Sequence, residues 1–343
     1  MKSKYIEFSS PYNVRVLESD IVWPQPGKLL IKSIASAISS GTEMLVYRGQ
    51  WPKNCVVDET ISSLSDDFSY PLKYGYSSIG RVIDAGSGVD PSLVGKRVFS
   101  FNPHESLFVC GPADVIRIPD DIEYEDASML PNMETAVNLV MDGHPTIGER
   151  VCVFGLGVVG LLTVAVLSRV GLEHLATFDG LEQRRNLALE LGADSVHDPS
   201  VCLADSNLGR PIDSANFRRW ADLSLELSGN PLALNSAIEV TGFAGRIVIG
   251  SWYGSKHADI NLGGYFHRSR INISSSQVST ISPEFLGRWT KKRRLDLAID
   301  FLRKVRPSRL VTHRFNINEA CLAYDTIDKK PHEIIQAIFV HED

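Results

Sequence analysis

The chain has 343 residues, of which 43% are hydrophobic and 22% charged, and its formal net charge at pH 7 is −6. This length favours two domains, and the composition is that of an ordinary globular protein. The negative charge argues against nucleic acid as the main partner. No apolar run approaches the ~20 residues of a membrane span, and the N-terminus lacks a signal core. We therefore expect a cytoplasmic protein that acts on a small molecule, without nucleic acid or membrane partners.

The first 120 residues predict a β-rich region. Short strand-like runs are separated by glycine and proline turns, which favours a partly open barrel. These runs cover residues 28–35, 80–85, 95–100 and 114–118. The polar stretch from Gln50 to Tyr70 is long for a connection, and two interpretations stay open for it: a solvated insertion or a lid over a substrate site.

From about Tyr124 the pattern changes to a helix over 125–141, interrupted by Pro131, followed by alternating strands and helices. Such alternation predicts a parallel sheet with right-handed crossovers, whose ligands bind at the carboxyl ends of the strands. Ser228, Gly250 and Ser251 lie at two such ends. The predicted segments are 151–154, 158–170, 175–178, 181–191, 223–227, 232–240, 246–249 and an outer strand 271–277.

The pattern reverts after Trp289, with helices predicted over 295–305 and 317–327 and a closing strand over 334–340. We expect these pieces to pack back on the first domain and make it discontinuous. The basic run Lys291–Arg294 is interpreted as a solvated helix face.

A glycine turn links the strand ending at Phe154 to a long apolar helix. Gly155 permits the tight turn, Gly157 permits close approach of a pyrophosphate, and Gly160 permits tight packing of the helix on the strand. With Val158 and Val159, the helix start offers N–H groups and a positive dipole end to phosphates. The alternative interpretation is that the glycines only permit tight packing.

Asp179 follows the next strand, where a carboxylate accepts hydrogen bonds from ribose hydroxyls and repels a 2′-phosphate. This favours NAD as the cofactor. Arg184 and Arg185 follow on the next helix, so NADP stays open as an alternative, and Arg184 is itself a candidate cofactor contact.

Several motifs together resemble the medium-chain dehydrogenase/reductase superfamily, which contains zinc alcohol dehydrogenases and zinc-free quinone reductases. The motifs are residues 40–43, 74–80, 95–98, 148–151, the glycine turn, and 184–193. The resemblance implies an α/β fold: a Rossmann doubly wound parallel sheet (residues 123–289) plus a discontinuous β-rich GroES-like barrel domain (residues 1–122 and 290–343), with the cofactor in the cleft. It also implies a homodimer paired through the outer strand 271–277.

The chain departs from this resemblance at the metal. Ser40 stands where zinc members have their first cysteine ligand, and Tyr76 stands where they have a histidine. If Thr135 is the family's nicotinamide-contacting threonine, the third ligand position falls on Pro131. The family's cysteine-rich zinc lobe is also missing, because the five cysteines are scattered without metal-ligand spacing. Catalytic zinc needs three side-chain ligands, so we expect no zinc.

Hydroxyl groups then become the candidate catalytic residues. Thr42 occupies the family's proton-relay position, although Leu45 replaces the relay histidine, and Ser40 could assist. Tyr76 could donate a hydrogen bond to a substrate oxygen, or could only fill the volume left by the metal. His104 is an outside candidate. Residues 39–49 and 70–76 also resemble a narrower zinc-lacking branch that includes hydroxyethyl bacteriochlorophyllide dehydrogenase.

These observations favour a metal-independent oxidoreductase that transfers hydride between NAD(P)(H) and an alcohol/carbonyl pair. Two alternatives stay open. One is a quinone or enone reductase, and the other is a catalytically inactive nucleotide-binding protein.

Overall fold

The structure is a computed structural model that describes residues 1–52, 68–202 and 219–341. Most of the stretch from Gln50 to Tyr70 lies outside these residues. The chain divides into two compact units: unit 1 comprises Met1–Pro131 and Leu302–Asp343, and unit 2 comprises Asn132–Phe301. Within the described ranges, no helix combines the length and apolar character that a membrane crossing requires.

The first part of unit 1 is rich in strands. Its elements are β1 (Lys2–Ser10), β2 (Asn13–Asp20), β3 (Leu29–Ile38), α1 (Thr42–Tyr47), β4 (Ser78–Ala85), β5 (Arg97–Ser100), β6 (Leu107–Cys110), β7 (Val115–Arg117) and α2 (Tyr124–Ser128).

The sequence analysis did not single out the antiparallel hairpin of β1 and β2. Its turn uses Tyr12 at φ 60° rather than a glycine or asparagine, so the usual hairpin signal is absent. The hairpin supplies Ile6, Phe8 and Val14 to the core of unit 1.

Unit 2 alternates strands and helices. Its elements are α3 (Leu130–Gly143), β8 (Arg150–Phe154), α4 (Val158–Leu167), β9 (His174–Phe178), α5 (Glu182–Glu190), β10 (Ser195–His197), α6 (Pro199–Cys202), β11 (Ala221–Glu226), α7 (Ala233–Val240), β12 (Thr241–Ile249), α8 (Tyr265–Arg268), β13 (Asn272–Ser275) and α9 (Lys291–Val305). The first residues of α3 and the last residues of α9 belong to unit 1.

The strands of unit 2 form a six-stranded sheet in the order β10-β9-β8-β11-β12-β13. All five pairings are parallel, so the predicted Rossmann-type sheet is confirmed. Because β8 is central, the turn that follows it lies where the strand order reverses, which is the usual ligand position in such sheets.

The C-terminal part of the chain completes unit 1. It contributes β14 (Val311–Asn316), α10 (Ala320–Lys329) and β15 (Gln336–Val340). The sheet order is β14-β15-β3-β4-β5-β7, with β6 also paired to β3. Because β15 lies between β14 and β3, it is an interior strand of this sheet.

Two local predictions were wrong. Residues 125–141 form two helices rather than one, and the break falls at Met129 rather than at Pro131. Pro131 lies in the first turn of α3, where its missing N–H costs nothing. The basic run at the start of α9 is not wholly solvated, because the Arg294 side chain is 0% exposed.

Candidate functional site

The glycine turn after β8 has the close contacts that its sequence predicts. Gly155 adopts φ +90°, and a Cβ there would lie 2.4 Å from the Cα of Ser228. A Cβ on Gly160 would lie 2.0 Å from the carbonyl oxygen of Gly155. Gly155 therefore lets the turn pass the end of β11, and Gly160 lets α4 begin directly beneath the turn.

Gly157 differs from its two neighbours, because a Cβ there would meet no atom within 4 Å. It is the N-terminal cap residue of α4 and provides no side-chain cap to the first N–H groups. Val158 and Val159 form the first turn of the ten-residue α4. The open space at Gly157 and the uncapped helix start fit the binding of a phosphate group.

Asp179 follows β9 and ties the glycine turn to the start of α5. One carboxylate oxygen accepts the N–H of Leu156 at 2.7 Å, and the other accepts the N–H of Leu181 at 2.9 Å. The guanidinium of Arg184 lies 3.9 Å from a carboxylate oxygen of Asp179, and the guanidinium of Arg185 donates to the Asp179 carbonyl oxygen. Because a carboxylate has about four acceptor positions, it keeps capacity for ribose hydroxyls.

A buried carboxylate organises the neighbouring strand ends. Glu226, the last residue of β11, is 0% exposed and accepts hydrogen bonds from the N–H and hydroxyl of Ser228. The Tyr253 hydroxyl donates to its other oxygen at 2.5 Å. Burial, together with this carboxylate, raises the pKa of Tyr253. The sequence analysis missed Glu226 and Tyr253, although a carboxylate ending an apolar strand is a usable signal.

The predicted loop residues of unit 2 come together around these groups. The Ser251 hydroxyl accepts the N–H of Gly229 at 2.9 Å, and Gly250 donates its N–H to the Glu226 carbonyl oxygen at 3.0 Å. A Cβ on Gly250 would lie 2.4 Å from Leu139 of α3. Helix α3, which also carries the half-buried Thr135, therefore lies against the carboxyl end of β12.

In unit 1, the predicted hydroxyl residues lie at the start of α1. Thr42 is the first residue of this helix, and Ser40 is exposed just before it. Ser39 makes the local hydrogen bonds: its hydroxyl accepts the Thr42 N–H, and its own N–H donates to Glu43 at 2.7 Å. Because Ser39 organises this start, the Ser40 hydroxyl is not needed for it.

Tyr76 is half-buried, and its ring meets the Tyr74 ring edge-on at a centroid distance of 6.3 Å. It packs against the apolar core of unit 1. Gly75 adopts φ +125°, and a Cβ there would lie 2.7 Å from the ring of His104. His104 therefore fixes the backbone beside Tyr76 but is itself 0% exposed, so it is not an accessible base.

His104 belongs to a chain of buried polar groups. Its Nε2 lies 3.0 Å from a carboxylate oxygen of Glu43, which also accepts the Tyr324 hydroxyl at 2.6 Å. Its Nδ1 lies 2.7 Å from the Ser36 hydroxyl oxygen, and that oxygen lies 3.4 Å from Nε2 of His341. Burial and the nearby Glu43 raise the pKa of Tyr324, whereas burial and His104 lower that of His341 to about 3.

The residues at the family's metal positions do not fit zinc. Serine and tyrosine are poor neutral ligands, and proline has no donor atom. In the parts of the chain that the structure describes, no group of three or more histidine, cysteine, aspartate or glutamate side chains could hold a metal ion.

Two cavities of about 350 Å³ lie elsewhere. One borders β13 in unit 2 and includes Asp142, Arg246 and Gln277 in its lining. The other borders Tyr12 and Cys321 in unit 1. Their linings are formed by residues other than the glycine turn and Tyr76.

Comparison with known proteins gives consistent matches. The profile of the family described as zinc-binding dehydrogenase matches residues 158–291. The chain is 27% identical over 286 residues to the L-threonine 3-dehydrogenase of Pyrococcus furiosus, covering 73% of this chain and 76% of that protein.

Solved structures share the whole fold. The short chain alcohol dehydrogenase (rspB) from Escherichia coli CFT073, complexed with cofactor NADH, matches with a TM-score of 0.78 at 20% identity, covering 99% of each chain. The 2R,3R-butanediol dehydrogenase from Bacillus subtilis matches with a TM-score of 0.77 at 19% identity, covering 98% of this chain and 99% of that one. The solved structures show the fold, and the family profile and the relatives show that the chain is similar to zinc-type alcohol dehydrogenase-like proteins, in agreement with the resemblance that the sequence motifs carry.

Proposed function

We propose that the protein is an oxidoreductase that transfers a hydride between a nicotinamide dinucleotide and an alcohol/carbonyl substrate, without zinc. The observation that carries this proposal is the glycine turn of unit 2. Gly155 and Gly160 are confined by backbone atoms, whereas Gly157 faces open space at an uncapped helix start. Relatives described as dehydrogenases, and a neighbour described as complexed with NADH, support the same activity.

The residues of unit 2 fit a dinucleotide. The first N–H groups of α4 would bind the pyrophosphate, and Asp179 would accept hydrogen bonds from the adenosine ribose. The candidate contacts for the nicotinamide half of the dinucleotide are Thr135, Ser228 and Ser251. The bound dinucleotide supplies the hydride acceptor or donor. The Asp179 carboxylate would repel a 2′-phosphate, which favours NAD over NADP, although Arg184 lies beside it.

The residues of unit 1 support metal-independent chemistry. Ser40 and Tyr76 occupy positions where zinc members carry ligands, and both retain hydroxyl groups. In the proposed reaction the Tyr76 hydroxyl donates a hydrogen bond to the substrate oxygen as negative charge develops on it, and Ser40 assists. Thr42 occupies the proton-relay position. The proposed reaction uses no metal, because neutral serine and tyrosine hydroxyl groups are poor zinc ligands.

Two measurements test the proposal. Thermal-shift titration with NAD, NADP and their reduced forms should show stabilisation by at least one nucleotide, with NAD(H) preferred. Protein purified without chelators should then oxidise or reduce members of a panel of alcohols, polyols and ketones. The zinc content of the same sample should be at background, on the order of 0.1 zinc per chain or less. Failure of every nucleotide to bind would refute dinucleotide chemistry. One tightly held zinc per chain would refute the metal-free mechanism.

The same panel should include enones and quinones. Selective reduction of conjugated double bonds with NADPH would replace the alcohol/carbonyl assignment with a quinone or enone reductase.

We also propose that the protein forms a homodimer through β13. This strand ends the sheet of unit 2, and Asn272, Ser274 and Ser275 are exposed. An exposed sheet edge favours pairing with another strand. Analytical ultracentrifugation should show a dimer. Ser274→Lys should shift the equilibrium towards monomer, because it places like charges on both copies of β13 at the dimer interface. A wild-type monomer at 50 μM, roughly the concentration where specific dimers persist, would refute the proposal.

A further inference from the structure

We propose that Arg294 is a positioning residue for the nicotinamide end of the dinucleotide, because it fixes the backbone of residues 276–280 after β13. This inference rests on the proposed function. It concerns a buried polar cluster that neither the sequence motifs nor the cofactor contacts above include.

Arg294 is fully buried and makes hydrogen bonds in two directions. On one side its guanidinium binds Glu134 at 2.9–3.0 Å and the side-chain oxygen of Asn138, both on α3. On the other side it donates to the carbonyl oxygens of Val278 and Thr280, the latter at 2.9 Å. One side chain therefore links helix α9, helix α3 and the 276–280 segment.

Helix α3 also binds the 276–280 segment through a second set of hydrogen bonds, at Ser276. Its Asn138 donates to the Ser276 hydroxyl at 2.9 Å, and that hydroxyl donates to Asp142 at 2.6 Å. Glu134, Asn138 and Asp142 are spaced four residues apart, so they form one polar stripe on the helix. Asn138 and Asp142 of the stripe bind the beginning of the segment directly, and Glu134 and Asn138 bind its end through Arg294.

This segment lies on the side of the sheet where the nicotinamide should bind. In the strand order, β9 carries Asp179 for the adenosine and β8 carries the turn for the pyrophosphate. An extended dinucleotide that starts over β9 and crosses β8 continues towards β11, β12 and β13. Residues 276–280 follow the carboxyl end of β13.

Two further contacts connect the segment to the candidate site. Glu134 directly precedes Thr135 on α3. Leu139 of the same helix packs against Gly250 at the end of β12, where a Cβ would approach it to 2.4 Å. The Arg294 cluster thus holds the 276–280 backbone against helix α3, which also contacts the end of β12. A preformed surface raises affinity by reducing the cost of ordering on binding.

The test must separate positioning from folding, because removal of Arg294 alone leaves Glu134 buried without a counter-charge. The double variant Arg294→Met/Glu134→Leu removes both charges at similar volume, and such replacements of a buried pair are often tolerated. The carbonyl oxygens of Val278 and Thr280 still lose their donors. Arg293→Met, at the exposed neighbouring position, is the matched control.

Binding of NADH and of ADP-ribose, which lacks the nicotinamide, should be compared by calorimetry. We expect the double variant to weaken NADH binding by about tenfold. ADP-ribose binding should stay within about twofold of wild type, since the glycine turn and Asp179 are unchanged. Ser276→Ala, which keeps the ion pair, should give a smaller selective loss of about threefold, and Arg293→Met should give none.

The outcomes are distinguishable. A folded double variant with an unchanged ratio of NADH to ADP-ribose affinity overturns the inference. If the double variant does not fold, Ser276→Ala decides: an unchanged ratio there also overturns it. Wild-type protein that binds neither nucleotide refutes the proposed function itself.

Discussion

The two units of this protein carry their functional groups in different ways. In unit 2 the candidate cofactor site is defined by backbone: two glycines confined by neighbouring main chain, one open glycine and the start of a helix. In unit 1 the candidate catalytic groups are side chains, Ser40, Thr42 and Tyr76, at the edge of a buried polar chain. A site made of backbone tolerates few substitutions, whereas a site made of side chains can change its chemistry on the same fold.

The largest difference should appear between two glycines of the same turn. Gly160→Ala places a Cβ 2.0 Å from the Gly155 carbonyl oxygen, so the turn must shift. We expect the free energy of unfolding to fall by about 3 kcal/mol, at the upper end of overpacking costs. Gly157→Ala has space and should leave the melting temperature within about 2 °C. It should still weaken NADH binding.

Thermal denaturation and NADH titration of both variants check this prediction. Equal melting temperatures for the two variants would contradict the contacts at the turn. Wild-type affinity in Gly157→Ala would show that no phosphate approaches this glycine.

The next effect concerns unit 1 alone. Tyr76→Phe keeps the ring that packs on the core but removes the hydroxyl. We expect turnover to fall by about tenfold or more, compared with the ~10²–10⁴-fold contribution that is typical of an acid/base group. The dissociation constant of NADH should not change. Steady-state kinetics with fluorescence titration measure both quantities, and unchanged turnover would remove Tyr76 from the mechanism.

A smaller effect concerns the nucleotide preference of unit 2. Asp179→Asn removes the charge that would repel a 2′-phosphate, so the preference for NADH over NADPH should fall by about tenfold. Asp194→Asn is the matched control, because Asp194 also accepts a backbone N–H, from Leu175 at 2.7 Å, at the other end of β9. A preference that changes equally in both variants would assign the effect to folding.

The smallest expected effect is a pH dependence in unit 1. His341 is buried, and its pKa is lowered to about 3, so the folded state binds a proton less readily than the unfolded state. This contribution to stability is complete above the unfolded pKa of about 6.5 and is lost as pH falls below it. Between pH 7.5 and 6 the loss is about 0.8 kcal/mol.

Chemical denaturation at both pH values measures this loss. In His341→Gln the non-titrating side chain should make the change with pH smaller by that amount. Identical pH dependence in the two proteins would show that His341 does not titrate with unfolding.

The sequence-based predictions succeeded where the signal is local in the sequence and failed where it depends on distant contacts. The parallel sheet and its glycine turn were predictable, because apolar strands, helix periodicity and three glycines are local signals. The roles of Glu226 and Arg294 were not. Glu226 accepts the hydroxyl of Tyr253 from the next strand end, and Arg294 binds groups more than 150 positions away in the sequence. Arg294 was wrongly interpreted as solvated because its neighbours in the run are charged.

Unit 1 shows why long-range pairing limits such predictions. The closing strand 334–340 was recognised, but its pairing with β3 was not specified. Which hydroxyl group makes the hydrogen bonds at the start of α1 could also not be decided from the sequence. The structure shows that Ser39 makes the local hydrogen bonds.

The position of β15 between β14 and β3 has a consequence for synthesis on the ribosome. Strand β3 leaves the exit tunnel early, but β15, which pairs with it, is translated only after all the strands of unit 2 described above. Because domains generally fold as they emerge from the ribosome, unit 2 can complete its sheet before Tyr324 and Phe339, which belong to the core of unit 1, have been synthesised. A nascent chain stalled before Gln336 would therefore contain a complete unit 2 sheet, while β3 of unit 1 would still present an unpaired edge that is prone to aggregation.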